Sequence, residues 1–203
     1  MLDRVLLAWA RPPLAWVAER FAAAGVRADA VTLGGFVLGM AAAVAIASSM
    51  PLLGLLLIGA SRFADGLDGA LARLTAPTDR GAFLDITLDF LFYAGIPLAF
   101  ALADPAANAL PAAVLLAAFI GTGSSFLAYA VLAERRGLKS SAYPGKGFFY
   151  LGGLTEGSET LICFALMCLA PQHFAWWAYG FAALCVLTIG TRIAAGWMVF
   201  GPP

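Results

Sequence analysis

The sequence predicts an all-α, polytopic membrane protein with six transmembrane helices and an N-terminal amphipathic helix at the membrane interface. Hydrophobic residues make up 62% of its 203 residues and charged residues only 12%, a composition outside the range of soluble domains. Several apolar runs are each close to the about 20 residues that a helix needs to cross the hydrocarbon core. The formal net charge is zero, so the total does not indicate a partner, and we expect no nucleic acid among the partners.

The six predicted spans are separated by short turns that contain proline or charged residues. Such short connections between helices indicate antiparallel neighbours in one bundle. We expect residues 1–30 to form a cytoplasmic, interfacial segment and residues 31–203 to form a six-helix transmembrane domain. The spans are expected at roughly 31–49, 52–73, 82–102, 110–133, 147–169 and 176–199.

The basic residues predict the orientation of the bundle. They flank alternate connections, and the three turns on the opposite side carry no Lys or Arg. By the positive-inside rule, both termini and the two basic loops are cytoplasmic. The residues concerned are Arg4, Arg11, Arg20, Arg27, Arg73, Arg80, Arg135, Arg136, Lys139 and Lys146.

The N-terminal apolar segment, residues 2–24, is predicted to lie along the cytoplasmic surface rather than to form a seventh span. It is interrupted by Arg11-Pro12-Pro13 and carries Glu19 and Arg20. This mixture is typical of an interfacial amphipathic helix. The interrupted apolar run also argues against a cleavable signal peptide.

Four carboxylates lie within the second and third predicted spans, at Asp65, Asp68, Asp85 and Asp89. A carboxylate at membrane depth is costly and needs a compensating partner. Residues three or four apart share one face of a helix, so each pair of acids projects from one face. Two such faces turned toward each other form an all-oxygen site suited to Mg²⁺ or Mn²⁺.

The depth of these acids predicts a cavity that opens to the cytoplasm. Asp65 lies ~12 Å along its helix from Arg73, if Arg73 marks the cytoplasmic end. Gly69 and Gly81 remove side-chain bulk where a ligand must approach the backbone, and Ala72 does so in part. Arg73 at the mouth of the cavity is a natural phosphate contact.

A purely structural interpretation of the acids is that they pair with Arg62 and Arg192. This interpretation fits poorly, because four acids would face two deep arginines and leave carboxylates unpaired in a medium of low dielectric.

The pattern Asp-x2-Asp-Gly-x2-Ala-Arg-x7-Gly-x3-Asp-x3-Asp resembles the signature of the CDP-alcohol phosphotransferases, and residues 65–89 fill all eight positions. The resemblance implies that a CDP-linked lipid, usually CDP-diacylglycerol, gives its phosphatidyl group to a small alcohol acceptor and releases CMP. It also implies a homodimer in the membrane lipid, which we expect to be the bacterial cytoplasmic (inner) membrane, with the active site facing the cytoplasm.

The resemblance also implies roles for individual residues. Two divalent cations, Mg²⁺ or Mn²⁺, are expected on the four acids, with Asp89 also the general base on the acceptor hydroxyl. One departure is the stretch Arg27-Ala28-Asp29-Ala30-Val31-Thr32, which keeps the Thr but lacks the Pro-Asn pair that precedes it in many members. The residues expected to line the nucleotide and diphosphate site are Asp65, Gly69, Ala72, Arg73, Gly81 and Thr32.

The acceptor is expected among polar residues of the fifth and sixth spans. An alternative is that Arg62 and Arg192 only neutralise Glu156 and Glu159. Basic residues favour a phosphorylated acceptor and the glutamates favour a neutral polyol or an amino-alcohol, and both classes remain open. The residues predicted to form this pocket are Lys146, Thr155, Glu156, Glu159 and Arg192.

Two other functions are compatible with intramembrane charges. An intramembrane, Mg²⁺-dependent prenyltransferase also uses Asp-rich motifs, but it normally needs more spans and two separated Asp clusters. A non-enzymatic transporter or lipid-binding protein would not need carboxylates at two-metal spacing beside a phosphate-type arginine. Both fit the sequence less well than phosphatidyl transfer.

Overall fold

The computed structural model describes residues 2–138 and 155–201, with side chains from Pro12 onward in those ranges. Within them the chain forms seven α-helices and no β-strand. A short 3-10 turn, Pro171–His173, leads into the last helix. The helices are α1 (Leu2–Ala23), α2 (Ala28–Ala47), α3 (Pro51–Thr75), α4 (Asp79–Ala103), α5 (Pro105–Arg135), α6 (Gly157–Leu169) and α7 (Phe174–Phe200).

Prolines and side-chain caps define several helix starts. Pro51 and Pro105 are the first residues of α3 and α5, where proline lacks only an N–H that would have no helical partner. Asp104 accepts a hydrogen bond from the Ala107 N–H (3.2 Å) and caps α5. Thr78 accepts one from the Gly81 N–H (3.0 Å) and caps α4.

The prediction of an all-α membrane protein is confirmed. Within the described ranges, four helices are long and apolar enough to cross a membrane: α2, α4, α5 and the stretch from Pro171 through α7. Only 17 to 33% of each apolar window is buried inside the protein, so most of its surface faces outward. Large outward-facing apolar surfaces of this kind mark contact with lipid.

The other two predicted spans differ from these four. Helix α3 has 25 residues and so extends ~37 Å, but it carries the charged motif. Helix α6 has 13 residues, and the first part of the predicted 147–169 span lies outside the described residues. The count of six therefore stays a prediction.

Helix α2 organises the side of the bundle that carries the motif. It packs against both α3 and α4. At Gly35, an added Cβ would lie 3.0 Å from the Ala64 Cβ, so the missing side chain sets the close approach of α2 and α3. The main core, built around Phe92, Ile96 and Phe164, joins α4 to α6 and α7.

Helix α1 forms a second, smaller core with the motif helix. Leu14 and Ala18 are buried against Leu67 and Leu71 of α3, while Trp16 is 57% exposed. Pro12 and Pro13 lie inside the helix. The N-terminal helix is thus attached to α3, although its position at a membrane interface stays a prediction.

Candidate metal and nucleotide site

Three of the four motif acids converge between α3 and α4. Asp65 and Asp68 project from α3 and Asp85 projects from α4, each offering one carboxylate oxygen. These three oxygens all lie within 4.8 Å of one another. The spacing of three along α3 therefore has the predicted effect, since it places both acids on the face that meets Asp85.

The chemistry of this cluster fits a divalent cation. Asp68 is only 6% exposed, and its Oδ2 is buried with no hydrogen-bond partner in the part of the chain that the structure describes. A buried carboxylate oxygen without a partner is costly. A hard cation with oxygen ligands would satisfy it.

The fourth acid, Asp89, is held differently. Arg62 donates from Nη1 to Asp89 Oδ1 (2.6 Å), and the same nitrogen lies 3.5 Å from Asp65 Oδ1. Asp89 is not in the group of three that shares the 4.8 Å separation. Asp89, the expected fourth metal ligand, is therefore bound to Arg62 in this structure.

This contact also corrects one alternative from the sequence. Arg62 does not serve only to neutralise Glu156 and Glu159, because it pairs with Asp89 and Asp65. A signal was present in the sequence, since Arg62 and Asp65 have the i,i+3 spacing of a helix ion pair.

A small cavity opens beside the cluster. It is bounded by α2, α3 and α4, and Thr32 is one of its buried α2 residues. The Thr32 hydroxyl donates to the Ala28 carbonyl (3.1 Å). The lining residues are Thr32, Gly35, Phe36, Arg62, Asp65, Asp85, Leu88 and Asp89.

The other predicted nucleotide residues lie at the ends of α3 and α4 that carry the basic loop. Arg73 is exposed and Ala72 is half-buried, and Gly69 lies beside the Arg73 guanidinium. Gly81, in the first turn of α4, lies beside Asp29.

Asp29 is itself held by two basic side chains. Arg80 donates to its Oδ2, and Arg27 lies 3.6 Å from the same oxygen. The stretch that departs from the usual Pro-Asn pattern therefore contacts the start of α4.

A second, larger cavity of about 830 Å³ lies between α4, α5, α6 and α7. Asp85 and Asp89 border both cavities. Of the predicted acceptor residues, Thr155, Glu156 and Arg192 line the larger cavity. Lys146 lies outside the described residues.

Two of these acceptor residues have well-defined contacts. Arg192 is 7% exposed and donates from Nη1 to the Thr122 carbonyl (2.9 Å). The Thr155 hydroxyl donates a hydrogen bond to the Thr188 hydroxyl (3.0 Å).

Glu159 has a different place from the one predicted. It is absent from the described residues that line the larger cavity. Its Oε2 accepts hydrogen bonds from the Glu156 N–H (3.2 Å) and the Ser158 hydroxyl (3.1 Å), forming part of a capping box at the start of α6. Its position three residues after the N-cap explains this role.

Comparison with known proteins agrees with this geometry. The family model for CDP-alcohol phosphatidyltransferases matches residues 26–190, a range that includes the whole motif. The chain belongs to the CDP-alcohol phosphatidyltransferase family. As a member of this family it is an integral membrane transferase of phospholipid biosynthesis, which sets aside the prenyltransferase and non-enzymatic alternatives.

Two curated proteins are similar in sequence to this family member. Inner membrane protein YnjF of Escherichia coli (strain K12) is 49% identical over 198 residues, covering 98% of this chain and 96% of its own. Archaetidylinositol phosphate synthase of Methanothermobacter thermautotrophicus is 46% identical over 76 residues, 37% of each chain.

Solved structures of another enzyme share the fold. Mycobacterium tuberculosis phosphatidylinositol phosphate synthase (PgsA1) with CDP-DAG bound aligns with a TM-score of 0.74 at 20% identity, covering 91% of this chain and 93% of that one. The same enzyme in complex with manganese and citrate gives 0.74 at 20% identity, with coverage of 91% and 88%.

Proposed function

We propose that this transferase moves a phosphatidyl group from CDP-diacylglycerol to the hydroxyl of a small alcohol and releases CMP. The observation that carries the proposal is the position of Asp85 and Asp89, which border both the acid-lined cavity and the larger cavity. A donor phosphate in the first cavity and an acceptor in the second would meet at these residues. The CDP-DAG bound to the M. tuberculosis enzyme of the same fold supports the choice of donor.

The reaction forms a bond between the acceptor oxygen and the donor phosphorus and breaks the bond from that phosphorus to CMP. Asp89 would accept the proton of the acceptor hydroxyl. Arg62 binds Asp89 at Oδ1, so we assign the proton to Oδ2. CMP leaves with the electron pair of the broken bond.

Asp65, Asp68, Asp85 and Asp89 would together hold two divalent cations, Mg²⁺ or Mn²⁺. Bound cations neutralise the diphosphate, polarise the phosphorus under attack and stabilise the departing CMP. The manganese bound to the M. tuberculosis enzyme supports this assignment.

The donor head group is assigned to the mouth of the first cavity. Arg73 would bind the diphosphate through its guanidinium. Gly69, Ala72 and Gly81 would allow its close approach, and Asp65 and Thr32 would border the nucleotide.

The acceptor is assigned to the larger cavity, with Thr155, Glu156 and Arg192 as its contacts. Glu156 would accept hydrogen bonds from hydroxyls, and Arg192 would pair with an acceptor phosphate if one is present. Lys146 belongs to the same proposal. We do not assign Glu159 to this pocket.

The setting of the enzyme follows from the same considerations. We propose six spans, namely the four apolar helices, α3, and the predicted span 147–169, which contains α6. Residues 1–30 would form an interfacial segment before the catalytic domain 31–203. Both termini and the active site would face the cytoplasm. The inner-membrane location of the E. coli relative supports the same membrane here, and a homodimer is proposed on the family resemblance.

The test is CMP release by the purified protein in lipid nanodiscs with CDP-diacylglycerol and Mn²⁺ or Mg²⁺. A panel of phosphorylated and unphosphorylated polyols and amino-alcohols identifies the acceptor, and EDTA should abolish turnover. Asp89→Asn should lower turnover by about 10²–10⁴-fold, whereas Asp79→Asn, an exposed acid on the same helix, should not. No CMP with any acceptor, or an unaffected Asp89→Asn enzyme, would refute the proposal.

A further inference from the structure

We infer that the acceptor is an uncharged polyol, an alcohol that offers several hydroxyl groups as hydrogen-bond donors, and not a phosphate ester or an amino-alcohol. This inference rests on the proposed phosphatidyl transfer and names the substrate class of the larger cavity. Its basis is the direction of the hydrogen bonds made by four side chains that form the hydroxyl lining of this cavity, namely Thr122, Ser124, Thr155 and Thr160.

Two of these hydroxyls belong to the polar stretch 121–125 of α5, inside an otherwise apolar span. The Thr122 hydroxyl donates to the Phe119 carbonyl (3.0 Å). The Ser124 hydroxyl donates to the Gly121 carbonyl (3.3 Å). Because a hydroxyl has one proton and a carbonyl can only accept, both protons are used within the helix. The two hydroxyl oxygens keep lone pairs that can accept hydrogen bonds from a ligand.

The other two hydroxyls, in α6 and just before it, also donate their protons within the protein. The Thr160 hydroxyl donates to the Glu156 carbonyl (2.9 Å). The Thr188 hydroxyl donates to the Leu184 carbonyl (3.1 Å), so the proton between Thr155 and Thr188 (3.0 Å) comes from Thr155. Thr155 and Thr160 are both buried, and their oxygens likewise keep lone pairs for a ligand.

Close helix packing brings the α5 part of the hydroxyl lining against the helix that carries the proposed general base. An added Cβ at Gly123 would lie 2.4 Å from the Phe90 ring, and Phe90 follows Asp89 on α4. An added Cβ at Gly121 would lie 2.5 Å from the Ile189 side chain of α7. The two missing side chains therefore set the approach of this stretch to both neighbouring helices.

The accepting oxygens favour a ligand that donates several hydrogen bonds. A polyol carries a proton on each of its hydroxyls, and these are separated along the molecule, as the oxygens of α5 and of the α6 region are. A phosphate ester adds further accepting oxygens, so each lining hydroxyl would have to leave its carbonyl to donate to it. An amino-alcohol concentrates its donors on one compact ammonium and matches fewer of the separated oxygens.

The charges of the cavity agree with an uncharged acceptor. Asp85 and Asp89 belong to the proposed cation site, and the other charged residues of the described lining are Glu156 and Arg192. Both are buried, and their formal charges cancel. Arg192 also donates to the Thr122 carbonyl (2.9 Å), which attaches its guanidinium to the hydroxyl lining. A charged acceptor would add an uncompensated charge to this partly buried cavity.

The first test compares acceptors by CMP release at saturating CDP-diacylglycerol and Mn²⁺. Glycerol and myo-inositol are each paired with their phosphate monoester, and ethanolamine is the amino-alcohol probe. The better polyol should have a kcat/KM at least about tenfold above those of its phosphate monoester and of ethanolamine. A smaller ratio, or a preference for either charged probe, would overturn the inference while leaving phosphatidyl transfer intact. No CMP with any acceptor would refute the proposed function itself.

Removal of one hydroxyl tests the lining directly. Thr122→Val keeps the side-chain shape and should raise the KM for the polyol by about 3–10-fold, with the KM for CDP-diacylglycerol unchanged. Thr122→Ser should keep the wild-type values. Thr191→Val is the matched control, because the Thr191 hydroxyl donates to the Thr188 carbonyl in the same manner (2.9 Å) but Thr191 is absent from the described lining.

Ser124→Ala, at an exposed position, replaces Thr122→Val if that variant does not fold, and the same rise in the polyol KM is expected. An unchanged polyol KM in the folded variant, or an equal rise in Thr191→Val, would overturn the inference.

Discussion

The acid cluster and the larger cavity are built in opposite ways. The cluster comes from two consecutive helices, α3 and α4, whose acids repeat at intervals of three and four residues. The cavity shares Asp85 and Asp89 with that region, but it takes Thr122, Glu156 and Arg192 from segments that are far apart in the chain. Local spacing therefore determines the first region, whereas tertiary packing determines the second.

Removal of a cluster acid should have the largest effect. Asp68→Asn should reduce CMP release to background and abolish Mn²⁺ binding at the acid cluster, because it removes the buried member of the three acids. The midpoint temperature of thermal unfolding should not fall, since the substitution also removes a buried charge. A variant that kept both activity and Mn²⁺ binding would show that the cluster is not the metal site.

The packing beneath the cluster should matter for stability more than for ligand contact. Phe92→Ala removes a fully buried ring from the core and should destabilise the protein by about 3–5 kcal/mol. Phe83→Ala, at a position that is 66% exposed, is the matched control and should cost far less. Thermal unfolding in detergent measures the stability of both variants. Equal losses of stability would contradict this account of the core.

A substitution in the larger cavity should reduce activity less than loss of a cluster acid, and it should affect only the acceptor. Glu156→Gln should raise the KM for the acceptor by about 10–100-fold, the equivalent of a lost charged hydrogen bond of about 1.5–3 kcal/mol. The KM for CDP-diacylglycerol should stay unchanged. A shift in the donor KM instead would mean that the two cavities do not divide the substrates as proposed.

Glu159 should give the smallest effect, because it shares the capping box with Glu156 but is absent from the described lining of the larger cavity. Glu159→Ala should cost about 0.5–2 kcal/mol of stability through loss of the cap, with acceptor preference unchanged. Comparison of its acceptor profile with that of Glu156→Gln tests the distinction. If both variants changed acceptor preference alike, Glu159 would belong to the pocket after all.

The same contrast explains what could be predicted from the sequence. Asp65, Asp68 and Asp85 were predicted correctly as a cluster because helical periodicity alone brings them to facing surfaces. The hydrophobic runs likewise indicated α2, α4, α5 and α7.

The predictions that needed correction concern side chains with more than one possible partner. Arg62 was considered as a partner of the motif acids and, alternatively, of the distant glutamates, and the structure pairs it with Asp65 and Asp89. Glu159 was assigned to a pocket on depth, although its place in the first turn of α6 makes it a cap. The depth of a residue along a helix does not determine the direction of its side chain. That direction depends on how the helices pack in the bundle.

Helix α2 supports the acid cluster from behind without contributing an acid to it. It packs against both helices that carry the acids, and the close approach at Gly35 sets its distance from α3. A bulkier residue at position 35 would push α2 away from α3, so the placement of the acid-bearing helix depends on an uncharged contact behind the site.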